Sequence, residues 1–319
     1  MDGHFLTDIA IKQFKCFSDF QASGFKRVNL IGGKNNIGKT ALLEACYINV
    51  HSKSIDTMIM AIYDIKFARE NLNLLASKAS ESNAQQLIDT TRNYSAKSNV
   101  SDTAFSILEE NGIKEYHFIF QGVLTTINGK DLNITNKRIS NIEFIDNYGW
   151  ADHQLISAFQ AIQKQDKESE LNAYVRAFDD SIENFKVIGD KPQCKTNGVY
   201  RDISEFGDGL RHYISIICAL YECEKGYLLI DEIDNGIYYS QLDRLWDIIL
   251  SLSKQNHCQV FATTHSKEML EALVRAAQKQ ADSDISYTIL VKNKQAEVKT
   301  ISLDYDMLLD SMTQGYEVR

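Results

Sequence analysis

The sequence contains a single proline, Pro192, and no Gly/Ser-rich or low-complexity tract. Nothing therefore marks a flexible join between independent domains. No apolar run approaches the eighteen or so residues needed to span a bilayer. Met1-Asp2-Gly3-His4 has neither the basic nor the apolar region of a secretory leader. These absences predict a cytoplasmic chain with no membrane partner. C-x-x-C spacing is missing too: Cys16, Cys46, Cys194, Cys218, Cys223 and Cys258 are scattered, which reads as buried thiols rather than a metal site. Basic excess is also lacking. The formal net charge of −9 disfavours a broadly DNA-coating surface while leaving room for a local basic groove.

What is present is an ordinary globular composition, 44% hydrophobic and 24% charged over 319 residues. That length suits one large α/β domain or a domain carrying an insertion. Residues 33–40 read Gly33-Lys34-Asn35-Asn36-Ile37-Gly38-Lys39-Thr40, a complete G-x-x-x-x-G-K-[ST] phosphate loop. It follows the apolar Val28-Asn29-Leu30-Ile31 and precedes the helix-like Ala41-Leu42-Leu43-Glu44-Ala45, the strand–loop–helix setting the motif requires. Amides around Asn35, Asn36, Gly38 and Ala41 are expected to cradle phosphates. Lys39 would reach the β- and γ-phosphates, and Thr40 would ligate Mg²⁺.

Before the loop, alternation predicts strands over Phe5–Ile11, Phe17–Ala22 and Arg27–Ile31, an antiparallel flap. From Ile55 to about Asn111, apolar residues at helical spacing predict a pair of helices, with a polar, mobile stretch at Asn93–Asp102. Strand patterns return at Glu115–Ile127, Leu132–Thr135 and Asn141–Ile145, around an Asn128-Gly129 turn signal. Asp152–Asp180 reads as helix, then Phe185–Ile188 and Val199–Ile203 as short strands. Beyond them the order is regular: helix 210–223, strand 227–230, helix 239–254, strand 259–263, helix 267–280. That alternation predicts a parallel sheet covered on both faces. An edge hairpin, Ile285–Val291 with Val298–Leu303, closes it.

Tyr227-Leu228-Leu229-Ile230-Asp231-Glu232 is a buried strand ending in two acids, a Walker B element. Ligands of open α/β sheets sit at that carboxyl end. Asp231 is expected to hold Mg²⁺, and Glu232 to polarise the attacking water. A second strand ends in Thr263-Thr264-His265-Ser266, which would bring His265 toward the γ-phosphate. Phe206-Gly207-Asp208-Gly209-Leu210-Arg211 opens a helix, where free N–H groups and the dipole favour an anion.

In this order the motifs resemble the ABC-type ATPase heads of the SMC and RecF group. The phrases Asn35–Thr40, Gly207–Arg211 and Asp231–Ile237 are similar to OLD-family ATPases and their prokaryotic AAA-type relatives. The resemblance implies a P-loop NTPase of ABC-head type: a mixed central sheet with helices on both faces and an antiparallel N-terminal flap. It implies a head at residues 1–50 and 113–319, with a helical insertion at 51–112. It also implies dimerisation around ATP, with Gly207, Gly209 and Arg211 meeting the partner's nucleotide, Asp234 in the interface loop, and His265 as the γ-phosphate switch. This sequence departs from the usual ABC signature, carrying Gly207 and Leu210 where a serine and a Gln or Glu are common. For the glutamine that usually joins the two lobes, several Gln and Asn residues between 121 and 165 could serve.

Residues 41–206 are too few for an SMC-type arm, and residues 266–319 too few for the Toprim nuclease of OLD proteins. The expectation is an ATPase with Mg²⁺ that controls a separate effector protein, a toxin or nuclease, in antiphage defence. The alternative is a RecF-like repair or recombination ATPase that binds DNA directly.

Overall fold

A computed structural model describes residues 5–74, 91–129 and 139–313. The chain divides into two compact units. The first comprises Met1–Phe25, Gly33–Ile142 and Thr288–Ser302; the second comprises Lys26–Gly32, Glu143–Tyr287 and Leu303–Arg319.

The first unit is built on an antiparallel sheet. Its strands are β1 (Asp8–Phe14), β2 (Phe17–Ser23), β4 (Ser95–Ser98), β5 (Asp102–Glu110), β6 (Ile113–Phe120) and β7 (Val123–Asn128), in the order β2-β1-β4-β5-β6-β7. Strand β3 (Val28–Gly33) intervenes in the chain. Alternation explains the buried face: Ile9, Ile11, Phe20, Phe105, Tyr116 and Phe118 point inward, at the two-residue period of a half-buried strand. Helix α1 (Lys39–His51) is buried along almost its whole length. Its polar residues are therefore partnered: the Lys15 ammonium pairs with Glu44, and Asn49 Nδ2 donates to the carbonyls of Ala96 and Ser101 at 3.3 and 3.2 Å. Helix α2 (Ile55–Leu74) follows.

The helical insertion expected at 51–112 is corrected here. Only 55–74 is helical in its described part, whereas 95–98 and 102–110 are strands. Thr103, Phe105 and Ile107 are buried and their neighbours are not, a period of two rather than 3.6. Asn93–Asp102 is not a loose stretch either. The Ser98 hydroxyl donates to Asn49 Oδ1 (2.7 Å) and the Ser98 N–H to the Ser101 carbonyl (2.9 Å), which closes a tight turn. The expected strand Glu115–Ile127 is instead a hairpin, turning at Gln121 and Gly122, both with positive φ. The second helix of the pair expected between Ile55 and about Asn111 falls largely outside the described residues, and the strand expected at 132–135 wholly so.

The second unit holds a sheet in which β14 (Ile285–Lys292), β3, β13 (Gln259–Thr263), β12 (Tyr227–Ile230) and β8 (Ile142–Ile145) neighbour one another in that order; β14 runs on past Tyr287 to pair with β15 (Val298–Asp304). β12 pairs parallel with β13, and β13 parallel with β3, in registers that set Ile230 opposite Ala262 and Thr263 opposite Ile31. Every residue of β12 and β13 is buried, as central parallel strands covered on both faces must be. Arg27 is buried at the start of β3, and its guanidinium pairs with Asp282 and donates to the Leu250 carbonyl (3.1 Å). Helices α3 (Asp152–Lys164), α4 (Glu168–Phe178), α5 (Asp208–Glu222), α6 (Leu242–Gln255) and α7 (Lys267–Gln280) belong to this unit, and α8 (Tyr305–Thr313) follows β15.

The single helix expected over 152–180 is broken at Gln165–Lys167, where Asp166 has φ 56°. A three-stranded antiparallel sheet forms from β9 (Asn184–Ile188), β10 (Lys191–Thr196) and β11 (Val199–Asp202), in the order β11-β10-β9. Strand β10 is absent from the sequence-based expectation because Pro192 argues against a strand. Among the described residues no helix is long and apolar enough to cross a membrane.

Candidate active site

The phosphate loop lies in the first unit. Its backbone needs left-handed residues at Gly33 (φ 137°), Asn36 (φ 56°) and Gly38 (φ 114°), which glycine and asparagine accept most readily. Two of these positions are also crowded. A Cβ on Gly33 would stand 2.7 Å from the Leu290 carbonyl oxygen, and one on Gly38 would stand 2.6 Å from Cys16 Sγ. Gly38 is the N-cap of α1, which has no side-chain cap and no acidic residue in its first turn. An uncapped helix start carries N–H donors and positive dipole potential, so it fits an anion. Lys39 is buried and its Nζ donates to the carbonyls of Gly33 and Lys34 at 3.0 and 3.1 Å. These contacts hold the ammonium over the loop, where a phosphate's oxygens could replace the carbonyls. Asn35, Asn36, Thr40 and Ala41 belong to the same turn and first helical residues. Cys16 beside the loop is exposed, whereas the other five cysteines are buried as expected; partial desolvation still raises its thiol pKa, which keeps it neutral.

The second unit carries the acids. Thr263, at the end of β13, organises them. Its Oγ1 donates to Asp231 Oδ1 (2.7 Å) and accepts the Glu232 N–H (2.8 Å). Its carbonyl accepts the Ile233 N–H (3.0 Å). Glu232 takes φ 52°, a left-handed conformation that costs a non-glycine residue about 1–3 kcal/mol. The turn throws its carboxylate to His265, whose Nε2 lies 3.4 Å from Glu232 Oε1. Both side chains remain substantially exposed, so the pair can meet a ligand and water. Thr264 repeats the pattern one residue on: its Oγ1 donates to Asp234 Oδ1 (2.7 Å), and its N–H donates to the Ile31 carbonyl (3.1 Å). Ser266 caps α7 by accepting the Met269 N–H at 3.0 Å. The second unit thus brings together Asp231, Glu232 and His265, read from sequence as groups at strand ends, and Asp234, read as part of an interface loop. A carboxylate with hard oxygen chemistry at a strand end fits Mg²⁺, which takes one or two such ligands and completes its shell with phosphate oxygens and water.

The signature segment is held from within its own chain. Gly207 has φ 84°. Gly209 packs backbone on backbone against Gly236, whose carbonyl oxygen a Cβ on Gly209 would overlap. Arg211 Nη1 donates to the Trp150 carbonyl (3.1 Å) and pairs with Asp152 (2.7 Å). Its partners in this structure are therefore α3 and the residue preceding it by two, rather than an outward-facing ligand.

Three participants escape the sequence reading. Thr263 appears there only as a neighbour of His265, although a hydroxyl at the end of an apolar strand is a visible signal. Asp146, just after β8, accepts the Tyr148 N–H at 2.9 Å, and its pKa is raised by burial and, to a smaller degree, by the charge of Asp231. His212 on α5 is fully buried, and among the described residues neither ring nitrogen makes a hydrogen bond of ordinary geometry, although the Ile233 backbone acts on the ring. Burial pushes its pKa down to about 4.

A glycine-built phosphate loop before a helix and a Walker B strand in a parallel sheet define an α/β P-loop NTPase. The AAA ATPase domain family matches residues 47–270, about seven-tenths of the chain, and the chain belongs to that family; it is an ATP-hydrolysing enzyme. The match begins after the phosphate loop and includes the signature, Walker B and His265. A Helicobacter pylori protein called an ATP/GTP phosphatase is 25% identical over 323 aligned residues, covering 84% of this chain and 87% of its own. Among solved structures, an SMC head bound to the C-terminal winged-helix domain of ScpA is similar with a TM-score of 0.56, 11% identity and coverage of 95% and 99% of the two chains. A Pyrococcus furiosus SMC head with an extended coiled coil, bound to the C-terminal domain of ScpA, gives 0.52, 9%, 97% and 99%. The fold is thus that of the SMC-head ABC-type ATPases.

Proposed function

We propose that the chain is a magnesium-dependent ATP hydrolase that closes as a homodimer around ATP and uses that closure to control a separate effector. The carrying observation is the Thr263 hydroxyl, which ties down the Asp231 side chain and the Glu232 backbone at once. It divides two adjacent acids into different jobs. Asp231 is held as a ligand, while the Glu232 carboxylate is left beside His265.

In this reading the amides around Asn35, Asn36, Gly38 and Ala41 cradle the phosphates, and Lys39 exchanges its two loop carbonyls for phosphate oxygens. Thr40 and Asp231 would hold the magnesium ion, which would neutralise charge on the phosphate oxygens. Glu232 takes a proton from water as the water oxygen attacks the γ-phosphorus and the bond to the β–γ bridging oxygen breaks, releasing ADP and inorganic phosphate. His265 holds Glu232 and registers the γ-phosphate. Gly207, Gly209 and Asp234 serve the partner's nucleotide, and Arg211, committed to Asp152, keeps the signature turn in shape.

Control of an effector, whether toxin or nuclease, and a role in antiphage defence are supported by the OLD-like phrases at Asn35–Thr40, Gly207–Arg211 and Asp231–Ile237. That SMC heads of similar fold are described as bound to ScpA domains makes a docked second protein compatible with the fold. Phosphate release with Mg²⁺ and ATP, for wild type and Glu232→Gln, tests the catalytic reading; sizing with ATP tests closure. Turnover absent from the wild type, or untouched by Glu232→Gln, ends it. Salt-sensitive DNA binding with DNA-stimulated turnover would move the role to the RecF-like alternative.

A further inference from the structure

His212 has no part in the reaction just described, yet it lies beside the Walker B turn. Its side chain is wholly buried, and among the described residues neither ring nitrogen makes a hydrogen bond of ordinary geometry. The Ile233 backbone acts on the ring as a hydrogen-bonding group just short of ordinary bond geometry and favours the protonated form, as a carbonyl oxygen does. Ile233 directly follows the left-handed Glu232, and its own N–H is already fixed on the Thr263 carbonyl at 3.0 Å.

The start of α5 is packed hard on both sides. Gly209 meets the Gly236 carbonyl, and a Cβ on Gly149 would stand 3.1 Å from the His212 Cα. Ser215 Oγ accepts the Trp150 N–H (2.9 Å) and donates to the Arg211 carbonyl (2.7 Å). A displacement of the signature turn therefore reaches the Walker B turn through close backbone contacts. A leucine would fill the same space with no bare polar atoms, and interiors seldom keep bare polar atoms without use.

We propose that His212 is a positioning residue for Glu232: when the first turn of α5 is engaged, its ring N–H closes the existing contact with the Ile233 backbone into a full hydrogen bond to the carbonyl and draws the Walker B turn into its working arrangement. This rests on the proposed function, because it links the signature segment and Glu232 within one reaction.

The test compares the full chain as wild type, His212→Leu and His212→Asn. Turnover, nucleotide affinity and hydrogen exchange of residues 231–237 are measured, the last with and without Mg²⁺ and a non-hydrolysable ATP analogue. His212→Leu is expected to melt no lower than wild type and bind nucleotide within about twofold. It should lose about tenfold in kcat, the worth of one buried hydrogen bond, together with the nucleotide-induced protection of 231–237. His212→Asn, which keeps a donor, should recover part of both; if the leucine variant does not fold, the asparagine variant against wild type decides. Protection and kcat unchanged by His212→Leu overturn the inference, as does a wild type with no nucleotide-induced protection of this segment. Protection that depends on His212 in a wild type without turnover would support the inference while ending the hydrolase reading.

Discussion

The phosphate loop and the Walker B turn are both tight loops at the ends of strands, but they are shaped by different physics. At Gly33–Thr40 the shape is steric: glycines occupy positions where a Cβ would strike Leu290 or Cys16, and Lys39 is satisfied by the loop's own carbonyls. At Asp231–Ile237 the shape is a network. One threonine hydroxyl serves two acids, a second holds Asp234, and a glutamate is left in a left-handed conformation. The first loop is preorganised to receive an anion. The second combines strain with the buried His212 imidazole beside it, which makes no hydrogen bond of ordinary geometry among the described residues, a state that can rearrange when ligands arrive.

Breaking each loop at its centre should give the largest effects. Lys39→Met removes the ammonium and leaves the Gly33 and Lys34 carbonyls without it. Nucleotide affinity is expected to fall by about a hundredfold or more, on the scale of a lost charge-assisted contact, as calorimetry would read. Glu232→Gln keeps the turn's shape and removes the base. Here kcat should fall by about 10²–10⁴-fold with nucleotide affinity retained, and ATP-dependent dimers should persist longer. If the two variants behaved alike, the contrast between a binding loop and a catalytic turn would fail.

Thr263→Val sharpens the comparison, since valine keeps the shape and deletes one hydroxyl. It removes the bridge to Asp231 and to the Glu232 N–H, two hydrogen bonds of about 0.5–1.5 kcal/mol each. A fall of roughly ten- to a hundredfold in kcat/KM is expected, with metal dependence shifted toward higher Mg²⁺. An equal substitution with no such partners, Thr300→Val at the Gln21 carbonyl, should leave turnover unchanged.

The two loops also differ in how legible they were in the sequence. A phosphate loop is contiguous and its geometry is local, so Gly33 to Thr40 could be read directly. The buried runs of β12 and β13 and the helices around them were readable for a related reason: central parallel strands are apolar throughout. Asp231, Glu232 and His265 followed from their places at strand ends. The strands at 95–98 and 102–110 were misread because they are half-exposed and carry polar residues such as Ser95, Lys97 and Ser106. Their burial pattern is set by β1 and by Asn49 on α1, which no local window contains. The roles of Thr263, Asp146 and His212 were hidden for the same reason. Each depends on a neighbour far along the chain: Asp231 for Thr263 and Asp146, Ile233 for His212.

The smallest expected effect separates the buried imidazole from the acids by its sign. His212 titrates near pH 4 when folded and near 6.5 when unfolded, so the folded state binds fewer protons between those values. Stability from this group is present above pH 6.5 and is lost as pH falls toward 4, by about 3 kcal/mol at most. Asp146 has the opposite sign: its raised pKa favours the folded state while protonated, and that contribution is lost as pH rises through the folded value. Urea unfolding at pH 7.5 and 4.5 distinguishes them. His212→Leu should narrow its stability gap between the two pH values relative to wild type, whereas Asp146→Asn should gain most at pH 7.5, because an amide in that half-buried position no longer carries the charge that burial and Asp231 oppose.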